Sequence, residues 1–202
     1  MIRHSKWIIC ASGPSFGEVS VDLLKRIHLS GWKILAVNRA WERVPFCDAM
    51  YAGDEDWWNH YGRFTLRYRG QKFAGHQKSA AKHDAVYIEK ISAPGLRKTP
   101  GQVNSGGNSG HQGINLVWHL GANQIVLLGF DMRLDNGVHF HADYPDGMLN
   151  VPPMHIAVWR RNMWNMSLAL AKEGVKVRNA TKGSALKCFP MMNLEDVLCS
   201  LV

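Results

Sequence analysis

No apolar stretch in this 202-residue chain approaches the ~20 residues that a membrane-crossing helix requires, so no span is expected. The amino terminus, MIRHSKWIICASGPSF, passes straight from a short basic start into an apolar run and a glycine turn, which is unlike an export signal. A soluble, unexported, cytoplasmic protein is the expectation. Cysteine is scarce: Cys10, Cys47, Cys188 and Cys199 show neither CxxC spacing nor a dense framework. That argues against structural zinc or a disulfide scaffold and for reduced, mostly buried thiols. Neither GxGxxG nor GxxxxGK followed by Ser or Thr occurs, which excludes both common nucleotide fingerprints. Acids are also outnumbered, 16 against 24 Lys and Arg, for a formal net charge of +8. Such a balance favours anionic ligands: nucleotides, sugar phosphates or nucleic acid. The charge is spread along the chain instead of gathered in one run, which weakens the nucleic-acid version.

What is present is 46% hydrophobic content without a compositional break, enough for one core and one domain over 1–202. Residues 104–131, NSGGNSGHQGINLVWHLGANQIVLLGFD, hold the clearest pattern. Ile114, Val117, Trp118 and Gly121 recur at helical spacing, Asn108 or Ser109 can cap the first turn, and Gly121 stops the helix. IVLL (125–128) is a continuous apolar run, as in a parallel strand covered on both faces, with Gly129 and Asp131 at its carboxyl end. Ligands of open α/β sheets sit at that end, and a helix start rich in Gly, Ser and Asn suits a phosphate or carboxylate. An ordinary capped loop explains the same residues equally well. A second corner is similar: KWIICA (6–11) reads as a strand, Ser12-Gly13-Pro14-Ser15 as a small-residue turn, and Val21, Leu23, Leu24 and Ile27 as a helix.

The remaining segments alternate strand and helix. KILAV (33–37) ends at Asn38, which can read a base or ribose or simply form a turn. CDAMYA (47–52) precedes a helix begun by Asp54, Glu55 and Asp56, acids that either answer the helix dipole or hold Mg²⁺ or a ribose. RFTLRYRG, QKFAG and AVYIEK are read as at least two further strands, and 92–108 as a long functional or mobile loop carrying Arg97 and Lys98. Trp57, Trp58 and Tyr61 with Arg63, Arg67 and Arg69 form either a base-stacking platform or core plus a solvated face. A loop over 132–153 gathers Arg133, His139, His141, Asp143 and Tyr144. Its HxH pair can ligate a metal or merely share a face by strand alternation. Residues 154–173 read as a helix with Ile156, Trp159, Met163, Met166 and Leu170 on its apolar face, placing His155 in the first turn. A helix start tends to keep an imidazole neutral, the state a general base requires. Residues 175–178 make a last strand, 179–184 lie at its tip, and Asn193 caps a short helix over 194–201.

Taken in order, IICASGPSF, VNRAW, NSG before a helix ending in LG, IVLLGFD and VRNATKGSAL resemble a superfamily of known enzymes. It contains bacterial CMP-sialic-acid sialyltransferases and the 6-hydroxymethylpterin diphosphokinase-like domain, which also occurs in flagellin-glycosylation accessory factors and phage genomes. The likeness spans most of the chain. It implies a single Rossmann-like α/β domain, a mostly parallel sheet with helices on both faces. It places Ser12, Gly13, Pro14, Ser15, Asn38, Asn108, Ser109, Gly110 and Asp131 around a nucleotide and implies His155 as base, with His139 and His141 next in line. Where the sialyltransferases use tyrosines to steady the leaving phosphate, this chain has Arg133 and the His139-Phe140 region. Two activities follow as expectations: transfer from a nucleotide-sugar to a hydroxyl acceptor, or Mg²⁺-assisted pyrophosphoryl transfer from ATP with Asp54, Asp56 or Asp131 at the metal. A silent nucleotide-binding or nucleic-acid-binding module is the third. Nucleic acid is also open as acceptor, and an oligomer is open as the assembly state.

Overall fold

The computed structural model describes residues 4–145, 148 and 153–199. Seven strands form one sheet: β1 (Ser5–Cys10), β2 (Lys33–Val37), β3 (Ala49–Ala52), β4 (Gln71–Ala74), β5 (Val86–Tyr87), β8 (Ala122–Leu128) and β9 (Lys176–Asn179). Their order is β5-β4-β3-β2-β1-β8-β9, and every pairing among them is parallel. Two short strands, β6 (Glu89–Ile91) and β7 (Gln102–Asn104), make a separate parallel pair. The helices are α1 (Val21–Leu29), α2 (Glu55–Tyr61), α3 (Gln77–His83), α4 (Ser109–His119), α5 (Pro153–Lys172) and α6 (Asp196–Cys199).

Strand alternation sorts the core onto two faces. Ile9, Leu35, Tyr51 and Leu127 point to the side holding Ile114 and Val117 of α4 and Met163, Met166 and Leu170 of α5. Ile8, Ile34, Val126 and Leu128 point to Leu24 and Ile27 of α1 and Val197 of α6, while Met50, Ala52 and Ala74 meet Trp57, Trp58 and Ala80. Each apolar run is therefore covered on both faces, the arrangement that parallel strands require. The fold is Rossmann-like α/β. From β1 the chain winds outward through β2 and β3, then returns to place β8 on the other side of β1. The order reverses between β1 and β8, and a crevice opens at their carboxyl ends.

Three segments differ from expectation. QKFAG and AVYIEK supply β4, β5 and β6, so at least two further strands are there as expected, but RFTLRYRG is no strand: residues Gly62–Arg67 form a 3₁₀ helix. Its buried members, Gly62 and Thr65, recur every three residues, and the Thr65 hydroxyl donates to the Gly62 carbonyl (2.8 Å). The aromatic and β-branched residues that resembled a strand leave Phe64 and Leu66 exposed. Residues 77–83 form α3, whose short polar sequence carries little apolar periodicity. Within 92–108 the segment includes β7 and is tied to the core. Asn115, buried in α4, accepts from the Arg97 and Asn104 amides (2.8 and 3.1 Å) and donates to the Arg97 carbonyl (2.9 Å). Trp57 and Trp58 are core, not a surface platform. The carboxyl-terminal helix begins at Asp196, two residues later than expected, and its expected end beyond Cys199 lies outside the described residues. So do 146–147 and 149–152 of the 132–153 loop.

Candidate functional site

A hollow of about 550 Å³ opens at the carboxyl ends of β1, β2, β3 and β8, where the strand order turns back. Ser12 and Gly13 after β1, Asn38 after β2, and Gly107 to Gly110 at the start of α4 all border it, as do Gly129 to Leu134 after β8. The two small-residue corners, nearly a hundred residues apart in sequence, thus share one cavity. Asp54, Glu55, Asp56 and Trp57 of the α2 start form another wall. His139 and Tyr144 close a third side, and Ile156 and Trp159 of α5 a fourth.

The first corner is held by hydrogen bonds that use its own amides. Gly13 N–H donates to the Gly129 carbonyl (3.0 Å), Phe16 N–H to the Gly13 carbonyl (3.0 Å), and Ser15 N–H to Asp131 Oδ1 (3.2 Å). Ser15 Oγ donates to Asp131 Oδ2 (2.8 Å). Asp131 therefore pins the turn to β8. Burial raises its pKa, an effect that the two Ser15 hydrogen bonds oppose. Pro14 and Ser15 stand behind the rim, outside the lining. Gly13 is obligatory, because a Cβ there would stand well under 3.0 Å from Asp131 Oδ2 and the Gly129 carbonyl oxygen.

The second corner keeps its amides available. Asn108 caps α4 by accepting from His111 N–H (2.9 Å), and the Ser109 and Gly110 amides meet no acceptor among the described residues. Gly107 approaches Trp159 so closely that a Cβ would stand under 3.0 Å from the indole Nε1, which sets the ring beside the helix start. Asn38 adopts a left-handed conformation (φ 52), and its Oδ1 is buried without a partner among the described residues. Arg133 borders the hollow, ion-paired to Asp135 and donating to the Gly183 carbonyl (3.2 Å).

The 132–145 loop straps across the rim: Phe140 N–H donates to the Ser12 carbonyl (3.0 Å), and Phe140 packs edge-on to Phe16. His139 and His141 stack at 4.8 Å between ring centres, with Tyr144 edge-on to both. Burial, with the neighbouring His141, pulls His139 down to about 4, and burial also lowers His141. His139 borders the hollow and its Nε2 is unpartnered among the described residues, whereas His141 does not border it. His155 also stands outside the lining. It lies one residue before Ile156 and 6.1 Å from the Trp159 ring, both of them lining residues, so it stands at the edge of the cavity wall.

Asp54 and Asp56 sit together with Glu55 in the α2 wall. Lys90 Nζ reaches Asp54 Oδ1 (3.2 Å) and the Gly53 carbonyl (2.5 Å), and His76 reaches Glu55 (3.5 Å). No group of three His, Cys, Asp or Glu among the described residues is placed to hold a metal ion. Sequence reasoning missed Trp159 and Ile156 as wall residues, whereas Glu55 joins Asp54 and Asp56 as the acidic run suggests. Trp159 and Ile156 belong to the ordinary apolar face of α5, and nothing in their spacing distinguishes a cavity wall from core. No described helix is long and apolar enough to cross a membrane.

No family model and no curated relative matches the chain. Among solved structures it is similar to a MAf glycosyltransferase from Magnetospirillum magneticum AMB-1, with a TM-score of 0.66 at 11% identity. The match covers 99% of this chain and 37% of that one, so the chain spans little more than a third of that protein's length. At such identity the likeness is one of fold.

Proposed function

We propose that the hollow binds a nucleotide-sugar and that the chain transfers the sugar to a hydroxyl acceptor. The observation that carries this reading is the meeting of Ser12-Gly13, Asn38 and Asn108 to Gly110 in one cavity at the strand-order reversal. The fold shared with a glycosyltransferase supports it. The Ser109 and Gly110 amides, at the positive end of an eleven-residue helix, suit the donor's phosphates. Asn38 is the group for base or ribose, and Trp159 supplies a flat wall.

Transfer breaks the bond between the anomeric carbon and the phosphate oxygen and forms one from that carbon to the acceptor oxygen. The acceptor's proton passes to a base, and the nucleotide leaves with the electron pair. Arg133, released from Asp135, offsets the charge on the leaving phosphate. His139 replaces His155 as the preferred imidazole base because it borders the cavity and is neutral at pH 7. The carboxylates of Asp54, Glu55 and Asp56 accept from sugar or acceptor hydroxyls.

Pyrophosphoryl transfer is the second reading, favoured by that acidic wall. Mg²⁺ is commonly held by one or two carboxylates together with substrate phosphates, so Asp54 and Asp56 fit it once phosphates complete the shell. Asp131, engaged by Ser15, does not. Thermal-shift screening against nucleotides and nucleotide-sugars, with Mg²⁺ or a chelator, separates the readings, since a ligand of the folded state raises its apparent stability. Stabilisation and turnover by a nucleotide-sugar are expected. Release of AMP from ATP, with no response to any nucleotide-sugar, would overturn the glycosyltransferase reading.

A further inference from the structure

From Trp57 to His83 the chain contains six Lys and Arg residues and not one Asp or Glu. The sequence as a whole spreads its charge, but this block concentrates it, and folding gathers the block into one lobe. The 3₁₀ helix packs on α2 and α3, and α3 packs on α2 and β4. Close contacts lock the lobe. His83 stacks on Trp58 at 5.3 Å, and it lies so near Gly62 that a Cβ there would clash with the imidazole. Lys82 and Lys72, after burial, depress the His83 pKa, as cations converging on one place do.

Arg63, Arg67, Arg69, Lys72, Lys78 and Lys82 make no ion pair among the described residues, although Lys25, Arg39, Lys90, Lys98 and Arg133 elsewhere all do. Five of the six are exposed, Lys72 being half-buried. Between the arginines stand two large apolar side chains in solvent, Phe64 at 54% and Leu66 at 77% exposure. The Arg63 guanidinium lies 4.7 Å from the centre of the Phe64 ring. Unpaired guanidinium groups alternating with an exposed ring match a chain of phosphates carrying bases: charge answers charge, and the ring offers a stacking face. A folded acidic protein would answer the charge without requiring the ring.

We propose that this lobe, residues 57–83, binds single-stranded nucleic acid. The inference does not depend on the activity of the hollow, which the lobe adjoins through α2. Glu55 and Asp56 border the hollow at one end of that seven-residue helix, and the 3₁₀ helix begins at the other. A helix of that length spans only about 10 Å. A strand on the lobe thus has the reach to present a nucleotide to the hollow.

Fluorescence anisotropy with a labelled single-stranded oligonucleotide, over a range of salt, is the test. Each phosphate contact on a single strand contributes about 0.7 to the fall of log K with log salt. Replacing Arg63, Arg67 and Arg69 together by Gln is expected to reduce that slope by about 2, a loss of roughly 50-fold at about 0.15 M salt that narrows towards 1 M. Phe64→Ala is expected to weaken binding about tenfold with the slope unchanged. Lys78→Glu with Lys82→Glu, on a different element, should reproduce the arginine effect. Unchanged melting temperatures would show each variant folded, and an unchanged nucleotide-sugar shift would separate lobe from hollow. Three results would overturn the proposal: wild-type affinity in the arginine variant, equal binding of polyglutamate with no Phe64 effect, or tighter binding to anionic vesicles than to the oligonucleotide.

Discussion

Gly13→Ala adds one methyl group at the corner of the hollow and isolates a steric cost. Gly13 has φ −63 and ψ 155, extended backbone that any residue adopts, so alanine brings no torsional penalty. Its Cβ would overlap Asp131 Oδ2 and the Gly129 carbonyl oxygen, and neither neighbour is free to retreat. If the carboxylate swings away, the Ser15 amide and hydroxyl each lose a charge-assisted bond, roughly 1.5–3 kcal/mol apiece. If the turn lifts off β8 instead, the Gly13–Gly129 bond is lost at about 1 kcal/mol, with overpacking strain of about 1–3 kcal/mol besides. The second route is the less costly of the two and sets the destabilisation at about 3 kcal/mol. Urea unfolding at constant slope is the assay, where a slope of about 2 kcal/mol/M lowers the midpoint by about 1.5 M. Gly174→Ala is the control: Gly174 has φ +70 and open space around it, so only the torsional cost of about 1 kcal/mol applies. Equal midpoints for Gly13→Ala and the wild type, with the nucleotide-sugar shift intact, would refute the close-approach argument and with it the role of Asp131 as the pin of the turn.

Other perturbations probe the buried polar groups. Burial pulls His111 down to about 4, from ~6.5 in an unfolded chain, so the unfolded state binds more protons between those values. Stability should therefore fall as pH drops through that window, by up to about 3 kcal/mol, and His111→Asn should flatten the dependence in urea titrations across it. Asp131 is shifted the opposite way: its raised pKa makes the native state the better proton binder just above the ordinary carboxylate value. Its contribution should decline as pH rises through that range, and Asp131→Asn should remove that component. Asn115→Ala should cost about 3 kcal/mol by orphaning two amides and a carbonyl, and should expose Arg97 and Lys98 to trypsin within minutes under native conditions. Asn38→Gly keeps the left-handed backbone and removes only the amide, so it should preserve the melting temperature while weakening the nucleotide-sugar shift.

The frame of this fold is legible wherever apolar patterning is long or strict. KILAV coincides with β2, and the IVLL run, the Gly121 stop and the apolar face of α5 fall where periodicity puts them. Patterning fails where packing overrides it. Phe64 and Leu66 look like strand residues but stand in solvent, because the positions buried around them are Gly62 and Thr65 at a period of three. The corners of the hollow are readable as small-residue turns at strand ends, but their internal bonding is not. Only the three-dimensional pairing of Ser15 with Asp131, residues far apart in sequence, leaves the first corner with its amides occupied and the second with its amides open. His155 has the expected local setting, a helix start, but the hollow is lined by the residues beside it, Ile156 and Trp159, which no local pattern distinguishes from core.

The helix that begins at the hollow has no side turned to water: Gly110 through Trp118 are all buried. Gly113 lies against Val37, Leu35 and Ile9 of the sheet, and Asn115 and His111 grip the 97–104 segment on the other flank. A keystone of this kind cannot be reshaped piecemeal, since each substitution along it disturbs sheet, loop and cavity floor at once. Room for side chains to vary is left at the margins, in the strap over the mouth and the cationic shoulder beside it, while the centre stays as it is.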